Sequence, residues 1–129
     1  MEISILNRQK KIKINAEDVR KNALLILKKL KIDCELNILF TDNKSIQLLN
    51  RKYRRKNKPT DVLSFQQDRK KVKNKPLVLG DIVISAEKAR SQAKEYSMTL
   101  KEEIRALVRH GILHLCGFSH AKMKAFRIF

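Results

Sequence analysis

Residues 99–120 constrain the fold of this chain more than any other segment. Thr99 followed by Glu102 forms a capping box, which predicts a helix that begins near Leu100. Gly117 can adopt the left-handed conformation that ends many helices, so the chain is expected to turn there. Between these points the apolar residues recur at helical spacing, at Ile104, Leu107, Val108 and Leu115. The segment therefore predicts an amphipathic helix with one face in a core.

All three histidines of the chain lie in this segment, in the stretch HGILHLCGFSH. His110 and His114 are four residues apart and share one helix face. After a turn at Gly117, His120 can return to the same point. Three imidazoles with an open fourth position are typical of a catalytic zinc site, at which a bound water or a substrate oxygen is polarised. We predict one Zn²⁺ per chain, held by these histidines.

Other readings of the same stretch exist. Histidines on a helix are often packed or solvent-facing residues, and Cys116 is a rival soft ligand. Six residues after His110, however, Cys116 points away from the histidine face, which favours a small core thiol. The histidine spacing also matches the metzincin proteases, HExxHxxGxxH, but Gly111 stands where those enzymes carry the glutamate base. Its absence argues against proteolysis and leaves the metal site.

The remaining pattern predicts one α/β (or α+β) domain over residues 1–129, with a single mixed four-stranded sheet flanked by helices. The predicted strands are 2–6, 34–40, 60–65 and 80–85. Helices are predicted from about 16 to 30, from 43 to 53, after Ser85 and after Thr99. Asn15 and Asp42 are the candidate N-caps of the first two helices.

The charge of the chain indicates a polyanionic partner. Thirty Lys and Arg residues against thirteen Asp and Glu give a formal net charge of +17, which favours contacts with nucleic-acid phosphates. Two basic runs stand out, 51–58 and 69–75, and the second is expected to be a solvated loop. The apolar runs are too short to span a membrane. Two cysteines and no secretory signal predict a reducing, cytoplasmic location.

The stretch HGILHLCGFSH resembles the HGxLHLxGYDH signature of the YbeY family, metal-dependent endoribonucleases of bacterial rRNA maturation. Two further stretches are similar to that family, LNRKYRRKNKPTDVLSF at 49–65 and LGDIVIS at 79–85. The resemblance implies a sheet flanked by helices and zinc held by the three histidines. It also implies cleavage of single-stranded RNA, including a role at the 3′ end of small-subunit rRNA.

Site residues are carried over at matching positions. His110, His114 and His120 are the implied metal ligands, and Arg54 matches a functional basic position of the family. An arginine fork also suits a phosphate better than a lysine does. We assign Arg54 and His110 as candidate catalytic residues. The candidate RNA-binding residues are Arg51, Lys52, Arg54 and Arg55, with the ribosome or ribosomal proteins as further candidate partners.

The chain departs from the family pattern at two places. Ser119 stands where the family usually has aspartate, which removes a charged group that could orient a ligand. The family usually continues with a further helix, whereas only AKMKAFRIF follows His120, so we expect the cleft wall there to be incomplete. Asp61 is expected to orient groups near the site or to satisfy a turn, and we favour a turn role for Asp81.

Two rival functions remain open in the sequence. A zinc peptidase or other hydrolase would need a base near the metal, which the sequence does not supply. A non-enzymatic ribosome-assembly protein would hold zinc as a closed structural site, although such sites more often use cysteines. For a ribonuclease, either water or the RNA 2′-hydroxyl can be the nucleophile. Ser64 lies in an alternating strand and is expected to be structural.

Overall fold

A computed structural model describes residues 1–67 and 77–118 of the chain. Within these ranges the chain forms four helices and one four-stranded sheet. The elements in chain order are β1 (Glu2–Asn7), α1 (Ala16–Leu30), β2 (Cys34–Thr41), α2 (Asn43–Arg54), β3 (Val62–Gln66), β4 (Leu77–Ser85), α3 (Ala86–Glu95) and α4 (Leu100–Leu115).

The sheet is mixed, as predicted. Its strand order is β1-β2-β4-β3. β1 and β2 are parallel, β2 and β4 are parallel, and β3 runs antiparallel to β4. β3 therefore forms one edge of the sheet, and its register pairs Ser64 with Ile82.

Each face of the sheet is covered by helices, because successive side chains of a strand point to opposite faces. The larger core lies between the sheet and α1, α3 and α4, and includes Leu36, Ile38, Ile82 and Ile84 from the strands. The smaller core lies on the opposite face, where Ile46 of α2 packs with Leu63 and Val83. The edge strand β3 thus has α4 on one face and α2 on the other.

The helix starts follow the sequence prediction. The side chains of Asn15, Asp42, Ser85 and Thr99 each accept a hydrogen bond from the backbone N–H three residues ahead. Thr99 and Glu102 form both hydrogen bonds of the capping box. These bonds satisfy backbone donors that the first turn of a helix leaves without partners.

The strand bounds differ from prediction at β4, which begins at Leu77 rather than at residue 80. Gly80 was read as the start of the strand, but it lies inside β4, beside a register shift between Glu35 and Leu36 of β2. β3 begins two residues later than predicted, at Val62. The basic run 69–75 lies outside the described residues.

Helix α4 packs closely against β4 at Gly111. A Cβ atom at this position would lie 2.9–3.1 Å from three side-chain carbons of Ile82, closer than such atoms pack. Only glycine lets the helix lie at this distance from the sheet, so this residue sets the position of the helix that carries the histidines. None of the described helices is long and apolar enough to cross a membrane.

Candidate functional site

His110 and His114 project from the same face at the end of α4, as their spacing predicts. Their ring centroids are 6.3 Å apart. The helix ends in a Schellman motif, in which the N–H of Gly117 donates to His114 O and the N–H of Phe118 donates to Leu113 O. Gly117 has φ of 82°, the left-handed value that this turn requires. The predicted turn is therefore confirmed up to Phe118.

Arg54 is the last residue of α2, on the other face of the sheet. Its Nη2 donates a hydrogen bond to the backbone oxygen of Ser64, at 2.7 Å. Its guanidinium carbon lies 5.5 Å from the centroid of the Phe65 ring. Guanidinium has five N–H donors in a fixed fork, so donors remain for a ligand while these contacts fix the direction of the group.

The two helix ends meet across the edge strand β3 and form a cleft. One part of it, about 330 Å³, is lined by Arg54, Val62, Leu63, Ser64, His110 and His114. An adjoining part, about 510 Å³, is lined by Arg54, Ser64, Gln66, His114, Gly117 and Phe118. The predicted catalytic arginine and the two described histidines therefore lie in one open cleft, although they are more than fifty residues apart in sequence.

The edge strand is tied to the helix that carries the histidines. Ser64 Oγ lies 3.5 Å from the Gly111 oxygen, and Gln66 Nε2 donates to the Leu115 oxygen at 3.1 Å. A single strand thus holds Arg54 through one carbonyl and α4 through two side chains. Any shift of β3 relative to α4 would change the distance between the guanidinium and the imidazoles.

The donor set suits a metal ion. Neutral imidazole is a common ligand of zinc, and the two rings lie one helical turn apart on the same side of α4. Within 1–67 and 77–118, no three or more His, Cys, Asp or Glu side chains are grouped for metal binding. The predicted third ligand, His120, and the neighbouring Ser119 lie outside the described residues.

Cys116, the rival ligand, packs partly buried against the larger core, in agreement with the predicted core thiol. Cys34 is fully buried, and this burial raises the pKa of its thiol to about 11. Cys34 belongs to the larger core and lines neither part of the cleft.

The four predicted RNA-binding residues lie together at the end of α2. Arg51, Lys52 and Arg54 belong to its last turn, and Arg55 is the C-cap, with φ of 58°. All four are exposed. The side chain of the buried Asn50 donates to the Lys58 oxygen at 2.9 Å and holds the following segment in place. The basic run is thus a helix end and a fixed turn rather than a loose loop.

The position that carries the general base in metzincins faces the sheet in this fold. Gly111 is buried, and a Cβ there would meet Ile82 of β4. A glutamate at this position would point into the core and away from the cleft. The geometry therefore agrees with the sequence argument against proteolysis.

The two aspartates have different roles. Asp61 accepts a hydrogen bond from Val62 N at 2.8 Å and one from the Thr60 hydroxyl at 3.4 Å, as a turn residue does. The turn role predicted for Asp81 is wrong, because this residue lies within β4. Its carboxylate accepts from the side-chain amides of Asn37 and Gln67.

The sequence reading missed Ser64 and Gln66 as cleft residues. Both lie on the face of β3 that packs on α4, and Ser64 also holds Arg54 through its backbone oxygen. The signal available in the sequence was their alternation in the segment TDVLSFQ, which places them on one face. Residue type gives no sign of a role played by a main-chain carbonyl.

One buried carboxyl lies in the first turn of α4, at the opposite end of the helix from His110 and His114. Glu103 is buried, and burial, followed by the nearby charge of Asp61, raises the pKa of its carboxyl above the usual value. The adjacent Glu102 is exposed, and its hydrogen bonds with Thr99 lower the pKa of its carboxyl. The first turn of α4 thus holds two glutamates whose pKa values are shifted in opposite directions.

Comparisons with known proteins identify the family of this chain. The sequence model of the family described as endoribonuclease YbeY matches residues 4–128. The chain is 42% identical over 119 residues to the endoribonuclease YbeY of Aquifex aeolicus, covering 92% of this chain and 78% of that protein. It is 48% identical over 97 residues to the endoribonuclease YbeY of Oceanobacillus iheyensis, covering 70% of this chain.

The fold also matches a solved structure, the solution structure of TM1509 from Thermotoga maritima. The TM-score is 0.64 at 29% sequence identity, and the match covers 96% of this chain and 85% of that chain. The match to the Oceanobacillus relative spans 63% of that protein's length. The family match over residues 4–128 includes β3, α2 and α4, which build the cleft.

Proposed function

The chain belongs to the YbeY endoribonuclease family, and from this we propose that it is a zinc-dependent endoribonuclease. We propose single-stranded RNA as its substrate and rRNA processing in the cytoplasm as its role, including 3′-end maturation of small-subunit rRNA and ribosome quality control. The observation that carries the proposal is the shared cleft of Arg54, His110 and His114. Ribosomal proteins are proposed as further partners.

The proposed ligands are His110, His114 and His120, with one zinc ion per chain. When bound, the ion would supply a Lewis acid that polarises a phosphoryl oxygen or a water molecule. Three neutral imidazoles leave the charge of the ion uncompensated, and no carboxylate is among the described residues that line the smaller part of the cleft. Such a site favours an anionic substrate such as a phosphodiester.

Arg54 is proposed to bind the phosphate at which cleavage occurs. The Ser64 carbonyl and the Phe65 ring hold its guanidinium, so the group needs little reorganisation when charge develops on the phosphoryl oxygens. Preorganised donors of this kind stabilise a transition state more than they stabilise the ground state. Arg51, Lys52 and Arg55 are proposed to bind neighbouring phosphates of the strand.

The first test is the metal content of the purified chain, with His114→Ala as the variant and Cys116→Ser as the matched control. The proposal expects about one zinc per chain, lost in His114→Ala and kept in Cys116→Ser, because the cysteine packs on the core. Ribonuclease activity on single-stranded RNA should follow the metal. A folded chain that cannot be loaded with zinc would contradict the metalloenzyme proposal.

The ends of the cleaved RNA identify the nucleophile. A 2′,3′-cyclic phosphate end requires attack by the 2′-hydroxyl, and a 2′-deoxy nucleotide at the cleavage site would then block the reaction. Products without a cyclic intermediate, and cleavage at that deoxy nucleotide, would indicate attack by water. Either result is compatible with the proposed roles of Arg54 and the histidines.

A non-enzymatic role in ribosome assembly is the remaining alternative. It predicts that RNA binds at the basic end of α2 and remains intact when the metal site is full. The open cleft beside the histidines favours the enzyme, because a purely structural metal site is closed by its protein ligands.

A further inference from the structure

We propose that Tyr53 stacks on a base of the RNA strand beside the cleft, and thereby makes the enzyme favour unpaired nucleotides. The inference rests on the proposed function and adds a base contact to the phosphate contacts. Single-stranded nucleic acids are commonly held by basic residues that bind the backbone and aromatic rings that stack on bases. The observation that carries the inference is an exposed aromatic ring beside Arg54.

Exposure separates Tyr53 from most aromatic residues of this chain. Among the aromatic residues that the structure describes, Tyr53 and Tyr96 alone have more than half of their surface exposed, 55% and 57%. Phe40, by contrast, is fully buried. Tyr96 follows the end of α3, whereas Tyr53 directly precedes Arg54, which lines both parts of the cleft.

The ring of Tyr53 is held in place on the side that faces the protein. It makes an edge contact with Phe65, with ring centroids 5.3 Å apart and an angle of 68° between the planes. The Arg54 guanidinium carbon lies 5.5 Å from the same Phe65 centroid. Phe65 therefore supports both the phosphate-binding arginine and the exposed ring.

These shared contacts place the ring close to the site. The Tyr53 centroid lies 5.3 Å and the Arg54 guanidinium carbon 5.5 Å from the Phe65 centroid, so the sum of these two distances is the upper limit of their separation. Successive nucleotides of a strand are about 3.4 Å or more apart, so this limit corresponds to roughly one to three nucleotides. A strand whose phosphate lies at Arg54 thus brings a neighbouring base to Tyr53.

The charge around the ring favours this occupant. Lys52 Nζ lies 5.2 Å from the centroid of the Tyr53 ring, and Arg51 and Arg55 belong to the same helix end. Lys52 Nζ lies over one face of this ring, so a base stacked on that face would displace the ammonium group towards the adjacent phosphate. An apolar partner would have to bury these cations without compensation, which is unfavourable.

The stacking contact accounts for a preference for single strands. A base in a duplex is already stacked and paired, so its face is not available to a side chain. Tyr53 would therefore discriminate without reading the sequence, because every base has a π face. One ring is enough for this role, which fits a chain with few aromatic residues.

The test compares RNA binding by Tyr53→Ala with that of the matched control Tyr96→Ala. A labelled oligouridine is titrated by fluorescence anisotropy, and a gel confirms that the RNA stays intact. Tyr53→Ala should weaken binding by roughly fivefold to 150-fold, the range equivalent to loss of one stacked base. Tyr96→Ala should bind like the original chain, and Tyr53→Trp should bind within about twofold of it, since tryptophan also stacks.

A second substrate distinguishes stacking from a change in local structure. On an oligonucleotide of the same length whose sugars lack bases, the difference between the original chain and Tyr53→Ala should disappear. Tyr53→Leu keeps an apolar side chain on Phe65 and should show the same loss on oligouridine as Tyr53→Ala. This variant also serves if Tyr53→Ala does not fold.

Three results would overturn the inference. The first is that Tyr53→Ala and Tyr96→Ala bind oligouridine equally well. The second is that Tyr53→Ala loses as much affinity for the abasic strand as for oligouridine. The third is that the original chain binds no RNA. If the original chain cleaves RNA and Tyr53→Ala binds normally, the stacking inference fails and the nuclease proposal stands. If binding depends on Tyr53 but the zinc-loaded chain cleaves nothing, the nuclease proposal fails and the stacking inference stands.

Discussion

At the scale of single residues, Arg54 connects the sequence to the chemistry. Among the described residues its side chain is held by a main-chain oxygen and has no acidic partner, so its full charge is available to a phosphate. Arg54→Ala should lower the rate of RNA cleavage by about 10²–10³-fold, the usual effect of removing one preorganised donor. Single-turnover cleavage of a labelled RNA measures this rate.

Arg55→Ala is the matched control, because it removes the same charge from the next residue. Arg55 is the C-cap of α2 and does not line the cleft, so its loss should reduce affinity and leave the single-turnover rate nearly unchanged. An equal loss of rate in both variants would show that Arg54 contributes only general positive charge. Arg54→Lys should recover little, since lysine lacks the bidentate fork.

The site could be predicted in part at this scale. The shared face of His110 and His114 and the turn at Gly117 follow from spacing and conformational preference alone. The approach of Arg54 to the histidines does not, because it depends on which strand forms the sheet edge. The role of Ser64 was missed for a related reason, since any residue type can offer a main-chain carbonyl.

At the scale of the elements, α4 is positioned by its contact with β4 at Gly111. Gly111→Ala should lower the free energy of unfolding, although alanine favours a helix by about 1 kcal/mol. Overpacking against Ile82 costs about 1–3 kcal/mol, and it exceeds the helix gain over most of that range. Urea unfolding measures the change, and the cleavage rate should fall as well because His110 moves with the helix.

The double variant Gly111→Ala with Ile82→Val tests the stated cause. Valine lacks the Cδ1 atom that would lie 2.9 Å from the new Cβ. Ile82→Val should therefore lower the free energy of unfolding less in the Gly111→Ala variant than in the original chain. Independent, additive effects of the two substitutions would show that the close approach is not the source of the destabilisation.

The two glutamates in the first turn of α4 predict opposite pH effects. Burial raises the pKa of Glu103, so the folded state binds its proton more tightly, and stability is lost as pH rises through the raised value. Glu103→Gln should therefore raise Tm at pH 8, by roughly 2–8 °C for each kcal/mol gained. The difference should vanish near pH 3, below the ordinary pKa of a glutamate, where the carboxyl is protonated in both states.

Glu102→Gln is the control, with the opposite sign. The hydrogen bonds between Glu102 and Thr99 lower the pKa of the Glu102 carboxyl. The ionised carboxylate therefore stabilises the folded chain at neutral pH, and this stabilisation is lost as pH falls through the lowered pKa. Glu102→Gln should lower Tm at pH 8 and have little effect in acid. Thermal unfolding followed by circular dichroism at both pH values checks both variants, and the same sign in both would contradict the assignment.

Element boundaries show what the sequence can and cannot specify. The four helix starts were predicted because each N-cap side chain acts on its own backbone a few residues away. The start of β4 was placed too late, because Gly80 resembles a turn residue and its place beside a register shift depends on the neighbouring strand β2. The order of the strands likewise depends on contacts between distant segments.

At the scale of the whole molecule, the net charge of +17 should dominate RNA affinity. Each phosphate contact releases counterions from the RNA. For a single strand, each contact adds about −0.7 to the slope of a plot of the logarithm of the binding constant against the logarithm of the salt concentration. If Arg51, Lys52, Arg54 and Arg55 each bind a phosphate, the slope should be roughly −3 or steeper. Anisotropy titrations at several salt concentrations measure it.

The variants separate charge from stacking. Arg55→Ala should make the slope shallower by about 0.7, whereas Tyr53→Ala should weaken binding with the slope unchanged. A slope unaffected by Arg55→Ala would place the RNA elsewhere on the basic surface.

The strand order also determines when the protein can first act during its synthesis. Among the described strands, β3 pairs only with β4, which follows it in the chain, and His110 and His114 come later still, on α4. An emerging chain that has exposed its basic segment and Arg54 therefore has neither a paired edge strand nor ligands for a metal. If the chain acts as proposed, a nascent copy would attract the RNA of the ribosome that is making it, but it would not cut that RNA until translation has passed α4.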